Sequence, residues 1–141
     1  MIEFHYNNDF KLSNELKFER WIRSILLHFK HQLGGITYIF CDDSYLLEIN
    51  KKFLKHDYFT DIISFDYSHD NLISGDIFIS TCRVFENSKE YNTTELDELL
   101  RVMSHGVLHF LGYKDKTPQD RIVMRKKEDE MIALFHVEQS S

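Results

Sequence analysis

Apolar and polar residues alternate over residues 2–6 (IEFHY), which predicts a short, half-buried strand. The period then changes. Leu16, Trp21, Ile25, Leu26 and Phe29 recur at helical spacing and predict a helix over 14–33, stopped by Gly34 and Gly35. Residues 36–41 (ITYIFC) are β-branched and aromatic and predict a strand. Asp42, Asp43 and Ser44 are available as N-caps for a helix over about 44–53. Two more strands are predicted at 62–67 and 76–80, and the turn-like SHDNLISG between them suggests a hairpin. A short helix follows at about 81–89. Residues 92–94 then cap a longer helix that reaches Leu111 and is ended by Gly112. Pro118 suits the first turn of a last helix, running to about Phe135.

The order is β-α-β-α-β-β-α-α-α, without regular alternation. It predicts an α+β fold, one small mixed sheet of about four strands with helices packed on it, rather than a doubly wound sheet. A length of 141 residues, 43% of them hydrophobic, suits a single domain over 1–141 with one core. There is no internal repeat, no low-complexity tract, no apolar run of membrane-spanning length and no secretory pattern at the start. No membrane partner is expected. Cys41 and Cys82 lie far apart in apolar segments, so two free buried thiols in a cytoplasmic protein are expected, not a disulfide. The net charge of −6 counts mildly against a nucleic-acid partner, although a local basic patch or a metal reverses the field inside a cleft.

The stretch SHGVLHFLGYKDK, residues 104–116, carries the candidate chemistry. His105 and His109 are four apart on a predicted helix, so both imidazoles leave one face and can converge on one metal. Leu96, Leu99, Leu100, Met103, Val107, Phe110 and Leu111 form the apolar arc of that helix, and both histidines fall on its opposite side. Gly112 can turn the chain back, which brings Asp115 within reach. Two nitrogens and one carboxylate form a three-ligand site with open positions, as catalytic metals require. Pairs of histidines at this spacing also occur by chance in a chain with eight of them. Gly106 follows His105, so the glutamate of an HExxH metalloprotease is absent and peptide hydrolysis by that route is disfavoured.

Three segments, in order and at matching spacing, resemble the YbeY family of ribosomal-RNA-maturation endoribonucleases. The first is His105-Gly106-Val107-Leu108-His109 followed by Gly112-Tyr113 and Asp115. The second comprises Asn50, Asp57, Thr60-Asp61 and Ser64-Phe65. The third is Gly75-Asp76-Ile77 with Ser80. The resemblance implies an α+β fold with a metal site at the end of a central helix, a cytoplasmic location, and one divalent ion. Zn2+ is the first expectation, with manganese, iron or nickel as alternatives. It further implies cleavage of single-stranded ribosomal RNA and a role with the small ribosomal subunit, with no DNA substrate. The sequence departs from the family at three positions. Asp115 stands where the family has a third histidine, a harder ligand that still suits zinc. Leu54 stands where the family has an arginine suited to a phosphate. Phe59 replaces a proline.

Other residues carry a functional and a bland reading. Lys55 is a weak catalytic candidate that could replace the family arginine only as a point charge. Asp61, Ser64, Asp76 and Lys114 are candidates for the cleft, each readable instead as a turn, strand-edge or solvated residue. Residues 121–127 (RIVMRKK) form the densest basic cluster, better read as the solvated side of an amphipathic helix. Phe53, Tyr58 and Phe59 could stack on bases or pack at the rim of the core. The functions that compete with a nuclease are a non-catalytic, metal-binding ribosome-assembly factor and a metal hydrolase or oxygenase acting on small molecules.

Overall fold

The computed structural model describes residues 1–140. Four strands, β1 (Ile2–Tyr6), β2 (Gln32–Cys41), β3 (Ile62–Asp66) and β4 (Leu72–Ser80), form one sheet in the order β1-β2-β4-β3. β1 and β4 both run parallel to β2, and β3 is antiparallel to β4. The sheet is mixed and four-stranded, as expected. Five helices accompany it: α1 (Glu15–His28), α2 (Asp43–Ile49), α3 (Thr81–Glu90), α4 (Glu95–Phe110) and α5 (Pro118–Ser140). No helix among the described residues is long and apolar enough to cross a membrane.

Several boundaries differ from expectation. α1 ends at His28, and Lys30 adopts a left-handed conformation (φ 60°) that breaks the helix before the glycines. Gly34 and Gly35 lie inside β2, at a register irregularity between Leu33 and Ile36. β4 starts at Leu72, inside the stretch read as turn, because Leu72 and Ile73 pair with Gln32 and Leu33. α2 stops at Ile49 and passes into a π-helical turn over Asn50–Leu54. Leu16, placed on the apolar face of α1, is exposed, and Phe18 and Ile22 are buried instead. Cys41 is buried, its thiol pushed up to about 12 chiefly by burial, but Cys82 is exposed.

The two faces of the sheet differ. Ile36, Tyr38 and Phe40 of β2 and Ile77 and Ile79 of β4 are buried in the main core with Leu100, Met103 and Val107 of α4. The other face carries a smaller cluster of Cys41, Leu46 and Ile63, covered by α2. α4 is held against the sheet by two specific contacts. The buried Tyr38 hydroxyl donates to the Met103 carbonyl at 2.9 Å. At Gly106 the helix approaches β4 so closely that an added Cβ would lie 2.8 Å from Ile77 Cδ1.

α5 crosses the side of α4 away from the sheet. Its apolar residues Met131, Ile132 and Phe135 pack into the main core. Phe135 meets Trp21 edge-on at 5.6 Å, and the Trp21 indole N–H donates to the Met131 carbonyl at 2.8 Å. α4 is therefore buried on two sides, and the face opposite its apolar arc looks onto α5 rather than open water.

Candidate metal centre

His105 and His109 occupy the last two turns of α4. The helix is capped by Leu111, and Gly112 follows at φ 102°. The Tyr113 N–H donates to the Leu108 carbonyl and the Gly112 N–H to the His109 carbonyl, both at 3.0 Å. This paired arrangement terminates a helix through a left-handed residue, which glycine adopts without a Cβ clash. It folds the chain back over the last turn. Two consequences follow for the histidines. The Tyr113 carbonyl arrives 2.9 Å from His109 Nδ1, and Asp115 arrives at the two Nε2 atoms.

The three side-chain donors form a tight triangle. His105 Nε2 and His109 Nε2 are 3.0 Å apart, and Asp115 Oδ2 lies 3.1 Å and 3.2 Å from them. Donors about 2.0–2.1 Å from a tetrahedral zinc would be about 3.3 Å apart, so the triangle fits a first-row divalent ion. Among the described residues it is the one cluster of three or more His, Cys, Asp or Glu side chains that could hold a metal. The site lies at the end of the central helix, as expected.

Each imidazole is also held from behind. His105 Nδ1 is 2.6 Å from Glu128 Oε2, and the acceptor for His109 Nδ1 is the Tyr113 carbonyl. Both acceptors require the proton on Nδ1, which leaves the Nε2 lone pairs directed at the shared point. Glu128 comes from α5 and is buried. Its other oxygen accepts from Arg101 at 3.0 Å, and Arg101 also donates to Asp129 at 2.8 Å. A buried carboxylate with one cationic and one imidazole partner is satisfied on both oxygens.

The electrostatics follow from this arrangement. Burial opposes the charged form of His105, but the hydrogen bond and charge of Glu128, aided by Asp115 and Asp61, outweigh it and leave its pKa above the ordinary value. Asp61 is also raised, by desolvation first, with the His105 charge opposing.

A pocket of about 230 Å³ opens beside His105 and Asp115. Asp61, Glu98, Asn87 and Tyr91 line it, as do Arg101, Arg121 and Arg125. Of the cleft candidates, the structure brings Asp61 to this pocket, where its carboxylate accepts from Asn87 at 3.3 Å. Ser64 lies on β3 opposite Ile77, on the sheet face toward α4, but outside the pocket lining. Asp76 lies opposite Thr37 and Phe65, on the other face of the sheet. Lys114 is exposed on the loop before Asp115, and Lys55 is exposed at the end of the π turn. Neither lines the pocket. Leu54, where the resemblance implies an arginine, is 40% exposed, and the exposed Lys55 follows it directly. Arg121 and Arg125 bring positive charge from α5, so the basic cluster of that helix is not wholly a solvated face.

Sequence reasoning missed Glu128 and Arg101. Glu128 opens the acidic run Glu128-Asp129-Glu130. Its phase carries a signal, however: it shares a helical stripe with Met124, Met131, Ile132 and Phe135, all buried. A carboxylate in such a stripe needs a buried partner.

The family profile described as endoribonuclease YbeY matches residues 3–136. This chain belongs to the YbeY family. The endoribonuclease YbeY of Flavobacterium johnsoniae is 52% identical over 139 residues, covering 99% of this chain and 100% of its own. That of Christiangramia forsetii is 51% identical over 138 residues, 98% of this chain and 96% of its own. That of Cytophaga hutchinsonii is 44% identical over 132 residues, 93% and 92% of the two chains. The solution structure of TM1509 from Thermotoga maritima aligns with a TM-score of 0.68, covering 99% of this chain and 92% of that chain at 22% identity. That last likeness is one of fold. The YbeY assignment thus rests on the profile and the full-length relatives, and the α+β architecture agrees with it.

Proposed function

We propose that this YbeY-family chain is a metal-dependent endoribonuclease that cleaves single-stranded ribosomal RNA during maturation of the small ribosomal subunit, in the cytoplasm. The observation that carries the metal dependence is the Nε2, Nε2, Oδ2 triangle of His105, His109 and Asp115, with both Nδ1 positions held by acceptors. His105 and Asp115 also line the pocket that Asp61, Arg121 and Arg125 line. Zinc is the ion the two imidazoles favour most, and the carboxylate widens the choice to manganese, iron or nickel. When bound, such an ion supplies Lewis acidity toward a phosphoryl oxygen and an attacking hydroxyl or water.

The protein's own groups do the rest. Glu128 and the Tyr113 carbonyl fix the imidazole orientations, and Arg101 holds Glu128 in place. Arg121 donates to the Asp115 and Lys116 carbonyls, which fixes the loop that presents Asp115. Arg125 and the exposed Lys114 place positive charge around an acidic protein's cleft, where an RNA phosphate would bind. Asp61 faces the same pocket from the sheet side, in position to hold a proton or a ribose hydroxyl.

The decisive experiment measures metal content and RNA cleavage together. Wild type should retain close to one equivalent of metal and cleave a single-stranded oligoribonucleotide, and a chelator should abolish cleavage. His109→Ala should lose the metal, and His105→Ala should lose cleavage. Equal metal content in wild type and His109→Ala would sink the ligand assignment. Cleavage that survives both chelator and His105→Ala would identify a contaminating nuclease.

A further inference from the structure

The segment between α2 and β3 carries chemistry that the metal centre does not use. Residues 50–59 read NKKFLKHDYF, with three lysines and three Phe or Tyr rings in ten positions. The π turn over Asn50–Leu54 ends on Lys55, which is left-handed at φ 57°. Phe53, Tyr58 and Phe59 are 56%, 57% and 54% exposed; Phe53 meets Phe65 edge-on at 5.9 Å, and all three leave more than half of their surface open. Clustered exposed apolar groups mark an interaction surface.

Each ring lies beside a cationic or imidazole group. Lys52 Nζ is 5.4 Å from the centroid of Phe53, and the Arg83 guanidinium is 5.6 Å from that of Phe59. The His56 ring stacks on Tyr58 at 5.2 Å with an interplanar angle of 20°. Lys51 is held by Glu48 and Asp57, and Arg83 by Asp43 and Glu86, which fix it against Phe59, whereas Lys52 and Lys55 extend from exposed positions. The segment also leads to the metal site. Arg83, beside Phe59, lies one helical turn from Asn87 on α3. Asn87 donates to Asp61, which lines the same pocket as His105.

Flat rings interleaved with cations suit a single-stranded nucleic acid. Each base offers a face for stacking, and each phosphate offers a charge. A duplex keeps its bases stacked on one another and cannot use the rings. We propose that Phe53, Tyr58 and Phe59, with Lys52, Lys55 and Arg83, form a stacking platform that holds single-stranded RNA on its way into the metal site. The platform rests on the endoribonuclease reading for the identity of its ligand.

The test is fluorescence anisotropy of a labelled single-stranded oligoribonucleotide, with chelator present so that nothing is cleaved. Replacing Tyr58 and Phe59 together by Ala should weaken binding at least about tenfold. Replacing both by Trp should restore it, and replacing both by Leu should not. Lys52→Glu with Lys55→Glu should flatten the salt dependence. Thermal melts of each variant establish that it is folded. Unchanged affinity in the Ala variant would overturn the platform, and so would rescue by Leu, which would mean an apolar protein surface. Loss of the platform with chelator-sensitive cleavage intact leaves the nuclease reading standing. Ring-dependent binding without any cleavage on added zinc would remove the nuclease reading and keep the platform.

Discussion

His105 is the residue on which protons and metal compete. Its pKa is raised in the folded protein, because Glu128, Asp115 and Asp61 outweigh the effect of burial. A raised folded value means that folding favours the protonated ring. That stabilisation is fully present below the unfolded value of about 6.5 and is lost as pH rises through the folded one. A metal needs the Nε2 lone pair, so its affinity moves the other way over the same interval. The metal-free protein should therefore lose melting temperature as pH rises above about 6.5, while zinc affinity increases. Melts in chelator across that range should show the loss, and His105→Gln should remove it; an identical profile in the variant would refute the assignment. Asp115 gives a second test at this scale. Asp115→His replaces a hard oxygen with a borderline nitrogen, so zinc retention against a competing chelator should strengthen. Weaker retention would mean that the third ligand comes from elsewhere.

At the scale of elements, the position of α4 matters most. Gly106 lets the helix sit close to Ile77, and that contact sets the height of both histidines above the sheet. Gly106→Ala should cost about 1–3 kcal/mol of stability by overpacking, read as a lower urea midpoint with an unchanged slope. A fully wild-type midpoint would show that Ile77 can move aside freely. The same helix shows what a sequence makes legible. His105, His109, Gly112 and Asp115 lie within one local stretch, where helical spacing and a glycine stop can be read directly. Glu128 acts on His105 from another helix, across a contact that no local pattern describes, and only its phase among buried methionines hints at it. The strand errors have the same origin. β2 begins early at Gln32 and β4 early at Leu72 because these two segments pair with each other. Local composition, with Gly34-Gly35 in one and the polar, turn-like residues 68–71 before the other, pointed to breaks. The fold class survived because the periodic cores of the elements, Ile36–Cys41 and Ile77–Ser80 among them, were unambiguous.

Across the whole molecule, the metal centre joins parts of the chain that the core alone connects less directly. Its side chains come from α4 and the loop before α5, and its support comes from α5, which Trp21 and Phe135 fasten to α1. An ion that binds only the folded arrangement stabilises it by mass action, about 4 kcal/mol at a thousandfold excess over Kd. For a domain of this size that corresponds to a rise in melting temperature on the order of 10 °C. His105→Ala should abolish the rise. Glu128→Gln keeps the packing of α5 but weakens its hold on His105, so metal affinity should fall about 10–100-fold and the rise should shrink without vanishing. Phe135→Ala acts differently. It should cost about 3–5 kcal/mol in both the metal-free and the zinc-loaded protein, shifting the two melts down together. Calorimetry of the four proteins with and without zinc separates these cases. If Glu128→Gln shows the full wild-type rise, the carboxylate behind His105 serves α5 packing alone, and the coupling between the metal centre and the helix layer is absent.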